Sequence, residues 1–247
     1  MDRNKLLDVL DAVRAGTLSP GEAARQLDGH SYAELVIDHA RERRTGVPEI
    51  VYGATKTAAQ IAAAMRELAE DGAAIATRVD AVKAEEVRRL VPGVVVHEHA
   101  RVLTIGSAPR PACGPIAVVC AGTSDLPVAE EAAIVAEFLG APVVRIADVG
   151  IAGLHRLLTR LDDIRACEVV IAVAGMEAAL PSVLGGLVDR PMIAVPTSIG
   201  YGVSVDGLVA LGALLAACAP GIAIVNIDNG VGAAVAAVRI ARLAVRP

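Results

Sequence analysis

The sequence predicts an α/β protein: a doubly wound parallel sheet preceded by a smaller α/β N-terminal domain. Three observations carry this. Apolar residues make up 54% of the 247, but aromatics only 2%, and small or β-branched residues suit parallel strands covered by closely packed helices. After residue 115 the hydrophobic pattern alternates regularly between short uncharged runs and longer helix-like segments, the signature of consecutive β-then-α units. Between the halves, Ala108-Pro109-Arg110-Pro111-Ala112-Cys113-Gly114-Pro115 is too rich in Pro and Gly for helix or strand, which places a boundary there and predicts domains at 1–110 and 111–247.

The elements follow in order. Leu6, Leu7, Leu10 and Val13 recur at helical spacing. Ser19-Pro20-Gly21-Glu22 reads as a capping box opening a short helix to about Leu27. A further helix is expected from Ser31 to Arg44, stopped by Gly46-Val47-Pro48. A small βαβαβ unit comes next: strand 49–52, helix 57–70, strand 73–77, helix 84–90 and a strand from Val94 to about His99. In the second half, strands are expected at 116–121, 142–146, 168–174, 192–195 and 222–227. Helices are expected at about 127–139, 151–161, 177–187, 206–217 and 231–244.

Composition narrows the function. With a net charge of −5 and no basic run beyond Arg41-Glu42-Arg43-Arg44, a duplex nucleic acid partner is not expected. The absence of Trp, with Phe138 the single Phe, argues against base stacking. Cys113, Cys120, Cys167 and Cys218 form no CxxC pair and read as free thiols of a reducing cytosol. The N-terminus leads into a charged amphipathic helix, not a signal peptide. Gly207 to Ile227 carries no charge and is long enough to span a bilayer. Pro220-Gly221 divides it, however, so a buried helix followed by a buried strand is expected, in a soluble cytoplasmic protein without a membrane partner.

In a doubly wound sheet, ligands sit beyond the carboxyl ends of the strands, so the loops there are where chemistry is sought. Gly122-Thr123-Ser124-Asp125, leaving a strand and opening a helix, could seat a phosphate on free N–H groups or be an ordinary capped helix start. It lacks the GxGxxG and Walker A spacings. Glu177 in Ala174-Gly175-Met176-Glu177 could act as a general base or hold a metal, or simply favour a helix N-terminus. Ser198, in Pro196-Thr197-Ser198-Ile199-Gly200, and Asn226, in Asn226-Ile227-Asp228-Asn229-Gly230, lie in similar loops. Cys218, among alanines at a helix end, reads as a small buried hydrophobe; as a nucleophile it would need positive charge from elsewhere. Lys56 stands at a strand-to-helix turn suited to an anion, and His97 and His99 share one strand face without a third ligand.

Several of these motifs together resemble the LarB family. They are Ala121 to Pro127, Gly175-Met176-Glu177-Ala178-Ala179-Leu180-Pro181, Pro191 to Pro196, Cys218 to Ala234, and an N-terminal stretch from Asp38 to Gln60 with Gly53-Ala54-Thr55-Lys56-Thr57. The resemblance spans nearly the whole chain. It implies a nickel-pincer cofactor biosynthesis enzyme that carboxylates nicotinic acid adenine dinucleotide with CO2 and cleaves its pyrophosphate, assisted by Mg2+. It also implies Cys218 as the nucleophile that adds to the pyridinium ring and Glu177 as the base. Gly122, Thr123, Ser124 and Asp125 would then hold the mononucleotide, with Lys56, Ser198 and Asn226 as further binding residues and a homo-octamer as the assembly. The C-terminal half also resembles the purine-pathway aminoimidazole ribonucleotide carboxylase/mutase family. That family has Ala-Ala-His-Leu-Pro where this chain has Ala178-Ala179-Leu180-Pro181, and its Ser-His-Arg motif is missing here. A mutase and a non-catalytic dinucleotide-binding subunit are the alternatives.

Overall fold

The structure is a computed structural model, and it describes residues 3–20, 23, 36–106 and 113–244. The chain divides into two compact units, Met1–His97 with Val102–Ser107, and Glu98–Arg101 with Ala108–Pro247.

The first unit holds α1 (Arg3–Arg14), α2 (Arg41–Thr45), β1 (Val51–Tyr52), α3 (Ala58–Ala69), β2 (Ala74–Thr77), α4 (Ala81–Leu90), β3 (Val95–His97) and β4 (Val102–Ile105). Both central helices start on side-chain caps. The Gln60 N–H donates to Thr57 Oγ1 at 3.2 Å while the Thr57 N–H donates to Gln60 Oε1, and the Lys83 N–H donates to Asp80 Oδ1. Such caps contribute about 1 kcal/mol each. Ile61, Met65 and Leu68 of α3 and Val87 of α4 bury themselves with Ala76 and Leu103 of the sheet.

This sheet corrects the expected βαβαβ unit. Its order is β1-β2-β4-β3, with β1 parallel to β2 but β4 antiparallel to both β2 and β3. β4 was not anticipated, because the hairpin that creates it turns through Arg101 in the left-handed region, at φ 52°, with no Gly or Asn there to announce it. The helix expected over 31–44 lies partly outside the described residues; within them only α2 is helical, and residues 36–38 are irregular. The helix expected to about Leu27 lies almost wholly outside them.

The second unit alternates as expected: β5 (Ile116–Cys120), α5 (Leu126–Phe138), β6 (Val143–Ile146), α6 (Leu154–Leu158), α7 (Leu161–Arg165), β7 (Val169–Ala174), α8 (Ala179–Gly185), β8 (Met192–Pro196), α9 (Leu208–Leu215), β9 (Ile222–Ile224) and α10 (Gly230–Leu243). All five strands are parallel, in the order β6-β5-β7-β8-β9. Every residue of β5, β7 and β8 is buried, which is why these strands read as uncharged runs. A fully buried Val or Ile contributes about 1.5–3 kcal/mol.

Helices α5 and α10 pack together over one sheet face, with Ala129, Ala132, Ala133, Ala136, Ala233, Ala234 and Ala237 buried. The opposite face is covered through Leu157, Ile164, Leu180, Leu184, Ala210 and Leu214, from α6 to α9. On the edge strand β6, Arg145 reaches Glu130 and Glu137 of α5 at 3.0 and 2.6 Å. The helix expected at 151–161 is broken into a 3-10 turn (Ile151–Gly153), α6 and α7. Only part of α9 faces the core: Leu208 is 57% and Leu215 70% exposed. Among the described residues no helix is long and apolar enough to cross a membrane.

Candidate active site

The strand order creates one point where the chain leaves in opposite directions. From β5 it crosses to β6 on one side, and from β6 it returns past β5 to β7 on the other. The loops after β5 and β7 therefore part and leave a crevice at the carboxyl edge, where ligands bind in sheets of this order. Gly122, Thr123, Ser124 and Asp125 follow β5, and Glu177 follows β7. Ser198 follows β8 and Asn226 follows β9. Sequence reasoning thus brought residues from four loops to one sheet edge.

These residues divide into an exposed rim and a buried floor. Thr123, Ser124, Glu177, Ser198 and Asn226 are exposed. Thr123 and Ser124 open a 3-10 turn, Thr123–Asp125, so their N–H groups have no partner within that turn and are suited to a phosphate. Asp125 differs: it is 4% exposed and faces inward. Its Oδ2 accepts the Gly122 N–H at 3.0 Å, and its Oδ1 accepts the hydroxyl of Thr197 at 2.7 Å, a side chain with no exposure at all. Burial pushes the Asp125 carboxyl up, with neighbouring Asp228 adding to it, against the bonds from Thr197 and from the Gly122 and Gly175 N–H groups.

Close packing fixes the other loops on this floor. A Cβ on Gly175 would stand 2.3 Å from the Ile199 carbonyl oxygen and 2.6 Å from Thr197 Oγ1; only glycine lets the β7 and β8 loops approach so closely. The Met176 N–H donates to Ile199 O at 2.8 Å. Asp228, at φ 56°, accepts the Ser198 N–H on Oδ1 at 2.8 Å while its own N–H donates to Pro196 O. The loops after β5, β7, β8 and β9 thus form one connected set.

Glu177 does not begin a helix, as the sequence suggested. Gly175 to Ala178 make a turn closed by the Ala178 N–H on Gly175 O, with Met176 at φ 53° and Ala178 at φ 48°; α8 starts only at Ala179. Left-handed non-glycine residues cost of order 1–3 kcal/mol and gather at functional sites. Here they flank the carboxylate on both sides.

Cys218 is elsewhere. It lies between α9 and the start of β9, at the amino edge of the sheet, where the adjoining Ala219 packs near Gly185 at the end of α8. The crevice is at the other end of a five-residue strand, roughly 15 Å away. Cys218 is exposed, not buried among its alanines. The thiol nearest the crevice is Cys120, at the end of β5, but burial pushes it up to about 11, so it stays protonated at neutral pH.

Lys56 is half-buried at the carboxyl end of β1 in the first unit. His97 is engaged with Thr104 Oγ1 at 3.0 Å. Among the described residues no group of three or more His, Cys, Asp or Glu side chains could hold a metal. Among the described residues, then, protein side chains alone build no ready-made Mg2+ cage.

Sequence reasoning missed Thr197, Asp228 and Glu131. The first two were visible only as members of polar loops. Glu131 is buried in α5, and its Oε2 would be 2.8 Å from a Cβ on Gly230. The carboxylate therefore sits at the positive end of α10, beside the loop that carries Asp228.

Comparison with known proteins agrees with this layout. Residues 30–107 match the LarB/PurE-like N-terminal domain, and residues 115–246 match the AIR carboxylase domain. An uncharacterized protein of Methanocaldococcus jannaschii is 40% identical, with 96% of this chain and 97% of that protein aligned. N5-carboxyaminoimidazole ribonucleotide mutases of M. jannaschii and Pyrococcus horikoshii are 35% and 32% identical. They align with 52% and 51% of this chain and 79% and 71% of their own lengths.

Proposed function

The chain belongs to the LarB family of carboxylase/mutase-type enzymes, and from that premise we propose that it converts nicotinic acid adenine dinucleotide, CO2 and water to pyridinium-3,5-biscarboxylic acid mononucleotide and AMP, a step toward a nickel-pincer cofactor. The observation that supports the reading is the crevice itself, at whose sheet edge lie both the Thr123–Asp125 turn after β5 and the exposed carboxylate of Glu177 after β7.

In this reading the Thr123 and Ser124 amides hold the nicotinate-side phosphate, with Ser198 and Asn226 along the rim and Lys56 as a further anion-binding residue. A pyridinium ring is too electron-poor to attack CO2. Addition of the Cys218 thiolate gives a neutral dihydropyridine whose enamine carbon forms the new bond to CO2. Glu177 then takes the proton from that carbon, and the C–S bond breaks, returning the thiolate and the aromatic cation. The substrate's positive ring supplies the charge that favours the thiolate.

Because Cys218 and Glu177 occupy opposite sheet edges, the reaction takes them from two copies of the chain. The exposed apolar surface of Leu208, Leu215 and Tyr201, the last 79% exposed, suits such a contact, as expected for a homo-oligomer.

The test is incubation with nicotinic acid adenine dinucleotide, bicarbonate and Mg2+, followed by mass spectrometry. Wild type is expected to release AMP and a dicarboxylated mononucleotide, and Cys218→Ser to bind the dinucleotide without forming either. Turnover of an aminoimidazole ribonucleotide alone would favour the mutase reading instead, for which the two mutase relatives speak.

A further inference from the structure

The buried floor of the crevice contains a group to which the reaction above gives no part. Thr197 follows β8, 72 residues from Asp125 in sequence, yet its hydroxyl donates to Asp125 Oδ1 inside a fully buried pocket. The same carboxylate holds the Gly122 N–H through Oδ2. The backbone of Thr197 is itself fixed, because its N–H donates to Ala174 O at 3.0 Å. Gly175 closes over Thr197 Oγ1, leaving no room even for a Cβ. A single carboxylate therefore joins the turn after β5 to the loops after β7 and β8, across the parting where a ligand would enter. With its oxygens engaged inward, Asp125 is poorly placed to bind ribose or phosphate itself. It is well placed to set the direction of the Thr123 and Ser124 amides.

We propose that Thr197 is a positioning residue: acting through Asp125, its hydroxyl holds the Gly122–Asp125 turn in the form that accepts a nucleotide 5′-phosphate. This rests on the proposed function only for where the phosphate sits. Without the hydroxyl, the buried carboxylate loses a donor. The turn must then shift toward water to recover one, and the phosphate seat goes with it.

The experiment uses the full chain as wild type, Thr197→Val and Thr197→Ser. Each is titrated calorimetrically with nicotinic acid mononucleotide and with the corresponding riboside, which lacks the phosphate. A hydrogen bond to a buried charged acceptor corresponds to about a ten- to hundredfold change in affinity. Thr197→Val is expected to lose that much for the mononucleotide and little for the riboside, while Thr197→Ser returns to within about threefold of wild type. Equal losses for both ligands would make Thr197 merely structural and overturn the proposal. So would wild-type affinity in Thr197→Val, failure of serine to rescue, or a wild type that binds the mononucleotide no better than the riboside. Should Thr197→Val fail to fold, Thr197→Ala, which removes the same hydroxyl without adding a branch, must show the same phosphate-selective loss. If the phosphate-selective pattern appears in an enzyme that releases no AMP from the dinucleotide, the proposed reaction falls and the role of Thr197 stands.

Discussion

Replacing Gly175 with alanine places a methyl carbon 2.3 Å from the Ile199 carbonyl oxygen, 2.6 Å from Thr197 Oγ1 and 2.9 Å from Ile199 Cβ. Carbon and oxygen in relaxed contact stand about 3.3–3.6 Å apart, so the β7 and β8 loops must separate by about 1 Å. That is enough to break the 2.8 Å bond from the Met176 N–H to Ile199 O and to stretch the 2.7 Å bond from Thr197 to Asp125. The first is worth about 1 kcal/mol and the second, to a carboxylate, about 1.5–3 kcal/mol. Since both depend on the same displacement they do not simply add, and a loss of about 2–4 kcal/mol is expected. For a chain of this size each kcal/mol lowers the midpoint by roughly 2–4 °C, giving a fall of about 5–15 °C. With no Trp and three Tyr, the melt is best followed by far-ultraviolet circular dichroism. Gly186→Ala is the control, because its Cβ would meet only Val183 O at 3.6 Å; it should be neutral or slightly stabilising. A Gly175→Ala protein that melts within about 2 °C of wild type would refute the account of the floor.

Three further outcomes are expected. Mixing inactive Cys218→Ser with inactive Glu177→Gln under subunit exchange should restore activity, at most about a quarter of wild type for a two-fold pair with shared sites; no recovery after confirmed exchange would place both groups in one chain. Burial lowers the affinity of His39 for its proton, but Asp71 and Glu67, bonded at 2.7 and 3.1 Å, outweigh it and raise its pKa above 6.5. The clamp is therefore fully present below the unfolded value and lost as pH rises through the folded one, and the midpoint should fall with rising pH across that window in wild type but not in His39→Gln. In Thr197→Val, losing the hydroxyl that holds the already raised Asp125 carboxyl down raises it further; the stability deficit should be largest at neutral pH and shrink on acidification as Asp125 takes up its proton. A deficit that does not change with pH would mean the hydroxyl does not serve the ionised carboxylate.

Some of this was legible in residues and some was not, for physical reasons. Strands β5, β7 and β8 were readable within a residue or so because burial on both faces leaves an uninterrupted Val, Ile and Ala run. The hairpin of β3 and β4 was not, since Arg101 takes the left-handed position that Gly or Asn usually marks. The same applies at Ala178, where a left-handed alanine delays a helix that composition would start at Glu177. The Asp125–Thr197 pair arises from sheet order alone, which nothing local encodes. The segment around Cys218 misled for a different reason. An apolar helix face looks the same in sequence whether it meets its own core or another protein, and Leu208 and Leu215 turn outward.

The two outer strands of the second sheet are finished differently. On β6 the Arg145 guanidinium is fastened between two glutamates of the same chain, and a tethered charge on a border strand discourages another strand from docking beside it. The β9 border has no such guard: Ile222 and Ile224 are only partly covered, Ala223 is exposed, and no charged residue occurs from Gly207 to Ile227. In the oligomer proposed above, this unguarded flank, which carries Cys218, is the one left open to a second copy. An Ala223→Lys substitution, which would give β9 the protection β6 already has, should therefore separate the copies while leaving each fold intact, with light scattering as the measure.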